Sequence, residues 1–482
     1  MGLFDATMLV MGSMIGSGIF IVSAGVAKQV GSPFYLLLTW ILTGILTIIA
    51  AVSYGELAAM MPRAGGQYVY LREAYGALVG FLFGWTTFLV IETGLIAAVS
   101  IAFAKFTAVI FPIFSEQNVL IKIGEYTFTA MQLLALAVII FLTFLNTRGI
   151  SFGKLLQNTF TITKIAALIG LILLGVAAGW GSDAAHWNAA HFWQPFKTIV
   201  LKNDITQVPL SNSTLLSAVG LAMVGAIFSS SAWNIITYTA AEIRRPERNI
   251  PLSLLFGTLG VSILYGLANG VYLLLLPTVG DPNGLTAAAR GIAFATNERV
   301  GTAAAEIIFG TAGAAIMAVF IMISTFGCVN GIVLSGARVY FAMAQDGLFF
   351  QKAIVLNRRN VPAVALVAQG VWASVLCISG KYSDLLKYVT FATLLFYILT
   401  IGGIFILRKK MPNAARPYRA FGYPILTAFY IIVATTICFN LLIFETPIAL
   451  FGASVKPSWV GLAIVLLGIP VFYCQKQQNT EG

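Results

Sequence analysis

Between Gly12 and Phe20 the chain reads GSMIGSGIF, three glycines and two serines in an apolar run otherwise long enough to span a membrane. Glycine is about 1 kcal/mol worse than alanine inside a helix, so the cluster either admits a closely packed neighbour or marks a break. A break at mid-membrane leaves N–H and C=O groups without partners, which is tolerable only against a polar cavity or a ligand. The freed amides of Ser17, Gly18 and Ile19, beside the loosened backbone of Met14, Ile15 and Gly16, stand at the positive end of a half-helix and suit a carboxylate.

A second interruption lies in AVGLAMVGAIFSSSAWNIITYTAAE, where Ser229, Ser230 and Ser231 run together ahead of Trp233 and Asn234. Serine in a membrane helix can bond back to a carbonyl one turn earlier, so a packing face is the plain alternative. In a break, the carbonyls of Phe228, Ser229 and Ser230 suit an ammonium group, and a ligand carrying both groups close together is an α-amino acid. The interruptions fall in spans one and six, the spacing expected of two five-helix repeats of inverted topology, each opening with a discontinuous helix.

Two charges lie deep in apolar runs. Lys164, in TFTITKIAALIG, costs about 2.5 to 3.5 kcal/mol unless paired or hydrated, and its depth strains snorkelling, so a functional role is favoured. Glu92, in TTFLVIETGLIAAV, either faces the pocket and favours a cationic or hydrogen-bonding substrate, takes up a proton during transport, or forms a buried polar contact. Asn234 requires a polar partner. Glu242 with Arg244, Arg245 and Arg248 forms either a solvated loop or a gate that exchanges ion pairs.

The elements that must position these residues follow from composition. Of 482 residues 59% are hydrophobic and only 9% charged, too few charges for a soluble domain. An all-α polytopic membrane protein of about twelve spans is expected, at 6–28, 33–61, 77–105, 129–147, 157–179, 214–241, 251–277, 305–340, 362–379, 384–408, 421–445 and 457–474. The basic loops MPRAGGQYVYLREAYG, TRGISFGK, EIRRPERNIP, RNVP with its upstream AQDGLFFQK, and RKKMPNAARPYR then share one face, which predicts a multi-pass protein of the cytoplasmic membrane with both termini inside. Topology accounts for the net charge of +11, and no nucleic-acid module is present. Cys328, Cys377, Cys438 and Cys474 lie in apolar runs without metal spacing, and His186 and His191 read as loop residues, so no metal and no cofactor is expected. MGLFDA has neither a secretory nor a myristoylation pattern, so the first span is expected to be retained. Nucleotide loops and nucleophile constellations are missing, which argues against an enzyme.

GSMIGSGIF, SYGELAAMMPRAGGQYVYLREAYG, TKIAALIGLILLG, AWNIITYTAAEIRRPERNIP and FGCVNGIVLSGARVYFAMAQDG, in this order, resemble the amino acid, polyamine and organocation (APC) superfamily. Within it the chain is most similar to the L-type amino acid transporters and their bacterial relatives. The resemblance implies a leucine-transporter-like five-plus-five inverted repeat (1–179 and 180–408) with two added helices (409–482). It implies that the span-one break receives the substrate carboxylate and the span-six break its amino group. It further implies that Lys164 stands where sodium-coupled relatives hold an ion, that Phe228 gates the substrate, and that Asn234 lies beside the substrate or span eight. Ser231 and Ala232 replace the glycine pair of eukaryotic members, which argues for less complete unwinding. The loop FPIFSEQNVLIKIGEYTF has no cysteine, so no disulfide-linked heavy subunit is expected. The implied activity is secondary transport of neutral L-amino acids by alternating access, as a sodium-independent exchanger or a proton-linked permease, with Gly94, Gly327, Phe396 and Tyr397 among the pocket walls. The rivals are a cationic amino acid or polyamine carrier anchored on Glu92, and a membrane receptor or enzyme scaffold.

Overall fold

The structure, a computed structural model, describes residues 1–482 except 64, 124–125, 149–152, 202–203, 360, 380–381, 451–452 and 482. Parts of the basic loop TRGISFGK and the side chains of Lys154 and Lys476 lie outside the described residues. The chain is built from helices. The first apolar run is two of them, α1 (Leu3–Met14) and α2 (Gly18–Val30), bent by 43° at Ile15–Ser17. After Gly31, which closes α2 in a left-handed conformation (φ 59°), follow α3 (Pro33–Met60), α4 (Gln67–Tyr75) and α5 (Ala77–Thr86). A π turn, Thr87–Ile91, joins α5 to α6 (Glu92–Ile110) without a break in the span.

Next come α7 (Ala130–Thr147), α8 (Gly153–Gly179), α9 (Asp183–Ala190), α10 (Asn212–Ser229) and the single turn α11 (Ile235–Tyr238). The remainder is α12 (Pro246–Leu275), α13 (Ala287–Arg290), α14 (Val300–Phe309), α15 (Thr311–Gln345), α16 (Ala363–Ser379), α17 (Tyr382–Lys410), α18 (Ile425–Phe444) and α19 (Pro457–Glu481). Local chemistry sets several starts. Thr129 and Gln132 satisfy each other's backbone amides as a capping box ahead of α7, and proline opens α3 and α12 where no amide bond is lost. Three short antiparallel hairpins, Val119–Ile123 with Tyr126–Thr129, Phe196–Leu201 with Asp204–Pro209, and Ile448–Leu450 with Ala453–Val455, join helices and were not anticipated from the apolar pattern.

Among the described residues nine helices are long and apolar enough to cross a bilayer, and the bent pair α1 and α2 makes a tenth. Two of the twelve expected spans fall short. The apolar part of span six ends at Ser229 because the chain unwinds there, and span nine has only Ala363–Ile378 as its described apolar helix. Span eight also differs from the expectation of one helix over 305–340. Gly310, at φ 67°, separates α14 from α15, and the long helix starts only at Thr311.

The helices share one continuous apolar core. Within it α2 packs on α10, α3 on α12, α6 on α15 and α7 on α16. Large apolar side chains such as Leu173, Val371 and Ile432 remain exposed on the outside, as a hydrocarbon surround requires. One polar knot lies at a helix end: Glu56 of α3 is buried, takes two bonds from Arg408 of α17 (2.9 and 2.7 Å), lies 3.5 Å from Arg416 and accepts the Ala420 amide at 2.7 Å. It fastens α3 to α17 and to the segment leading into α18. Removing one partner of a buried pair strands the other at about 3 to 5 kcal/mol, and Arg408 is partly exposed, so Glu56→Ala is expected to cost about 3 kcal/mol. Thermal unfolding of the solubilised protein reads this as a lower midpoint, whereas Glu73→Ala, at the half-exposed pair with Arg72, is expected to cost about 0.5 kcal/mol.

Candidate functional site

The break in the first span is held open by side chains from three other helices. Lys164 of α8, fully buried, donates to the carbonyls of Gly12 (2.5 Å) and Ile15 (2.8 Å). Ser324 of α15 donates to Ile15 at 3.0 Å and Cys328 of α15 to Ser13 at 3.3 Å, and Tyr265 of α12 donates to Met14 at 3.0 Å. The carbonyls on the loosened stretch are thus occupied. The amides at the start of α2 are not: only Phe20, bonded to Ser17, finds a backbone acceptor in the first turn, and among the described residues none meets Gly18 or Ile19. Two bare amides at the positive end of a helix are the kind of geometry an anion suits.

The second span-breaking segment runs from Ser230 to Asn234, with Ala232 in the left-handed region at φ 67°. Ser231 and Ala232 therefore do not prevent unwinding: alanine takes the conformation a glycine would take, at a cost of about 1 to 2 kcal/mol. Phe228 does not open the interruption; it is the penultimate residue of α10, buried just before the break. Nor are all three expected carbonyls available. The Phe228 carbonyl accepts from both the amide (3.1 Å) and the hydroxyl (2.6 Å) of Ser231, and the Ser229 carbonyl, 3.2 Å from the Tyr265 hydroxyl, shares that hydroxyl's one hydrogen with Met14. Ser230 alone of the three offers a carbonyl without a donor among the described residues.

The two breaks touch. A Cβ on Gly18 would overlap the Ser229 side chain and lie 2.8 Å from its Cα. Gly18 therefore serves both readings of its cluster, opening α2 after the break and admitting a neighbour. Gly94 and Gly327, expected in the pocket wall, face Val389 and Phe160 instead, whereas Phe396 and Tyr397 border a small cavity with Glu92.

The hydrogen bonds of the Asn234 side chain run to elements other than span eight. Its amide donates to Gln67 (3.0 Å) and Tyr238 (2.9 Å) and accepts from Tyr397 (3.1 Å), so it binds the unwound segment to α4 and α17. Glu242 pairs with Arg338 of α15 at 2.6 Å rather than with the neighbouring arginines. These two residues line a cavity of about 460 Å³ that also meets Asp5, Asn158, Asn330 and Arg359, on the face carrying the basic loops. At the other end of α2, Glu298 bridges Lys28 of α2 (3.2 Å) and Lys105 of α6 (3.7 Å). Burial alone would raise the Glu298 carboxyl, but Lys105 and Lys28 outweigh it and hold it below the usual carboxylate range.

A profile of amino acid permeases matches residues 1–472. The chain belongs to the amino acid permease family. The permease is 28% identical over 475 residues to the large neutral amino acids transporter small subunit 2 of Homo sapiens, covering 98% of its own length and 79% of that protein. It is 28% identical over 419 residues to the b(0,+)-type amino acid transporter 1 of Oryctolagus cuniculus, covering 87% and 78%. It is equally 28% identical over 479 residues to the Asc-type amino acid transporter 1 of Mus musculus, covering 98% and 80%.

Several groups that complete the permease's candidate site lie outside the sequence motifs of the breaks. Tyr265, Ser324 and Cys328 are ordinary residue types in apolar runs, where only their polarity at mid-span signals a partner elsewhere, and Gln67 belongs to a basic loop that gives no such signal. The close approach of Gly18 to Ser229 is measurable. Overpacking costs about 1 to 3 kcal/mol, so Gly18→Ala is expected to lower the thermal midpoint of the permease by that equivalent. Ser229→Gly in the same chain is expected to restore part of the loss, since only the Ser229 Cα then remains close. A Gly18→Ala chain as stable as the wild type would remove the helix contact from the account.

Proposed function

We propose that this permease carries neutral L-amino acids across the cytoplasmic membrane by alternating access, without sodium, either in exchange for another amino acid or together with a proton. Amino acid transport is what its family does, and a carrier of this kind returns its substrate chemically unchanged, so the protein is not an enzyme. The observation that carries the site assignment is the pair of bare amides at Gly18 and Ile19 beside carbonyls already taken by Lys164. The substrate carboxylate is assigned to those amides and the ammonium to the Ser230 carbonyl, with Phe228 as the gate between them and the outside. Met14, Ile15, Gly16, Ser17, Ser229, Ser231 and Asn234 shape the surrounding backbone.

Lys164 supports sodium independence because its ammonium sits on the very carbonyls a cation would coordinate. A five-plus-five repeat of residues 1–179 and 180–408, followed by two helices, is supported by the packing of span one on six, two on seven, three on eight and four on nine, each pair five apart. On that reading the shorter helices α10 and α16 count as spans and the total is twelve. The clustering of basic loops beside the cavity of about 460 Å³ supports cytoplasmic termini, with Glu298, Lys28 and Lys105 closing the outer side. The human relative is by its name a small subunit. For this chain we propose no disulfide-linked partner, since 111–128 holds no cysteine, Cys328, Cys377 and Cys438 are buried in helices, and the exposed Cys474 lies toward the end assigned to the cytoplasm.

Counterflow of labelled amino acids in proteoliposomes tests the reading. Neutral L-amino acids are expected to exchange, and replacing external sodium by choline is expected to leave the initial rate unchanged. A steep sodium dependence would remove Lys164 from the cation position, and competition by arginine or putrescine but not alanine would favour a cationic carrier.

A further inference from the structure

We infer that Glu92 carries a proton in the transport cycle, held as the neutral acid beside Gln369 in this structure, and that amino acid movement is thereby coupled to proton movement. This rests on the transport reading above and adds its coupling ion.

The backbone singles out the position. Glu92 is the first residue after the π turn Thr87–Ile91, and its amide reaches back five residues to the Thr87 carbonyl. Thr93 does the same with its hydroxyl, to Phe88 at 2.8 Å. A π turn inserts one residue into the helix and re-aims the side chains that follow. Such turns are frequent at functional sites.

Hydrogen-bond accounting then points to a proton. Glu92 is 2% exposed and Gln369 of α16 is 0% exposed, and each has one side-chain oxygen, Oε2 and Oε1, without a donor. Both flank Gly336 of α15. A Cβ there would overlap Gln369 Oε1 and lie 3.4 Å from Glu92 Cγ. Gln369 cannot turn its amide to help, because its Nε2 already donates to the Val333 carbonyl at 3.1 Å. A single O–H on the Glu92 carboxyl, across the gap at Gly336, would give both buried acceptors a partner.

The electrostatic surroundings agree. The titratable groups facing Glu92 are Tyr238 of α11, Cys328 and Tyr340 of α15, and Tyr397 of α17. None is a cation. Lys164 is committed to Gly12 and Ile15. A carboxylate here would be buried without a counter-charge, which is far more costly than burying the neutral acid.

Coupling follows from what adjoins the carboxyl. Glu92 borders a cavity of about 10 Å³, roughly the space of one water, shared with Ser231, Ala232 and Asn234 of the unwound segment and with Gln67 and Tyr397. Any movement of that segment opens or closes the water space at Glu92. When it opens inward, the carboxyl O–H breaks and the proton passes to water on that side. When it opens outward, the carboxylate recovers a proton there, so one proton travels with each amino acid.

The test uses the full-length protein in proteoliposomes. With one proton per amino acid, an inward gradient of one pH unit is expected to support about tenfold accumulation in the wild type, and Glu92→Gln is expected to accumulate nothing above equilibration. Gln369→Leu is expected to keep proton-driven accumulation but with its pH dependence displaced. Independently, infrared spectra of purified wild type at neutral pH are expected to contain the carbonyl stretch of a neutral carboxylic acid that Glu92→Gln lacks. Wild type that exchanges amino acids but ignores the proton gradient overturns the inference and leaves the transport reading standing. So does Glu92→Gln that still accumulates, or identical infrared spectra. A protein showing no counterflow under any gradient overturns the transport reading itself, and the infrared comparison still decides the state of Glu92.

Discussion

A polypeptide that leaves helical geometry in the middle of a membrane must find partners for its own backbone, and much else in this structure answers that requirement. At the first break the carbonyls from Gly12 to Ile15 are met by Lys164, Tyr265, Ser324 and Cys328, donors drawn from three separate helices. Those donors are side chains on rigid spans, so satisfying the break also fixes how α8, α12 and α15 stand around α1. The Gly18 and Ile19 amides, in contrast, meet no acceptor among the described residues. The asymmetry is chemically sensible: a fixed cation serves the acceptors permanently, while the donors wait for something that comes and goes.

Much of this was legible in the residues. A glycine and serine cluster and a serine run, five spans apart, point to the breaks because the two recur at the spacing of an inverted repeat, and Lys164 reveals itself by the cost of its burial. The reach of Lys164 to the first break followed from the family resemblance, and its two bonds agree. What stayed illegible was three-dimensional. That Gly18 lies against Ser229, that Asn234 reaches Gln67 and Tyr397, and that Glu242 finds Arg338 all depend on helices distant in the chain meeting at a particular height. The helix stop at Gly310 was missed for a different reason: one glycine in an apolar run is ordinary, and only its backbone angle makes it a boundary.

The polar groups also sort by permanence. Glu56, with two short bonds from Arg408 and one from the Ala420 amide, ties helix ends and reads as a fixed fastening. Glu298 with Lys28 and Lys105 is half-exposed, longer and bridged through one carboxylate, the kind of contact that water can replace cheaply. The first kind holds a scaffold together through a conformational cycle. The second can break within one.

Ala232 sits in a left-handed conformation where a glycine would be unstrained. A glycine hinge wanders over both halves of conformational space, whereas an alanine has few alternatives to the shape it is forced into. The chain thus accepts a small standing strain in exchange for a narrower ensemble at the second break. A site that is already ordered loses less freedom when a ligand settles into it. The methyl group of one residue therefore moves part of the entropic cost of recognition from the moment of binding to the moment of folding.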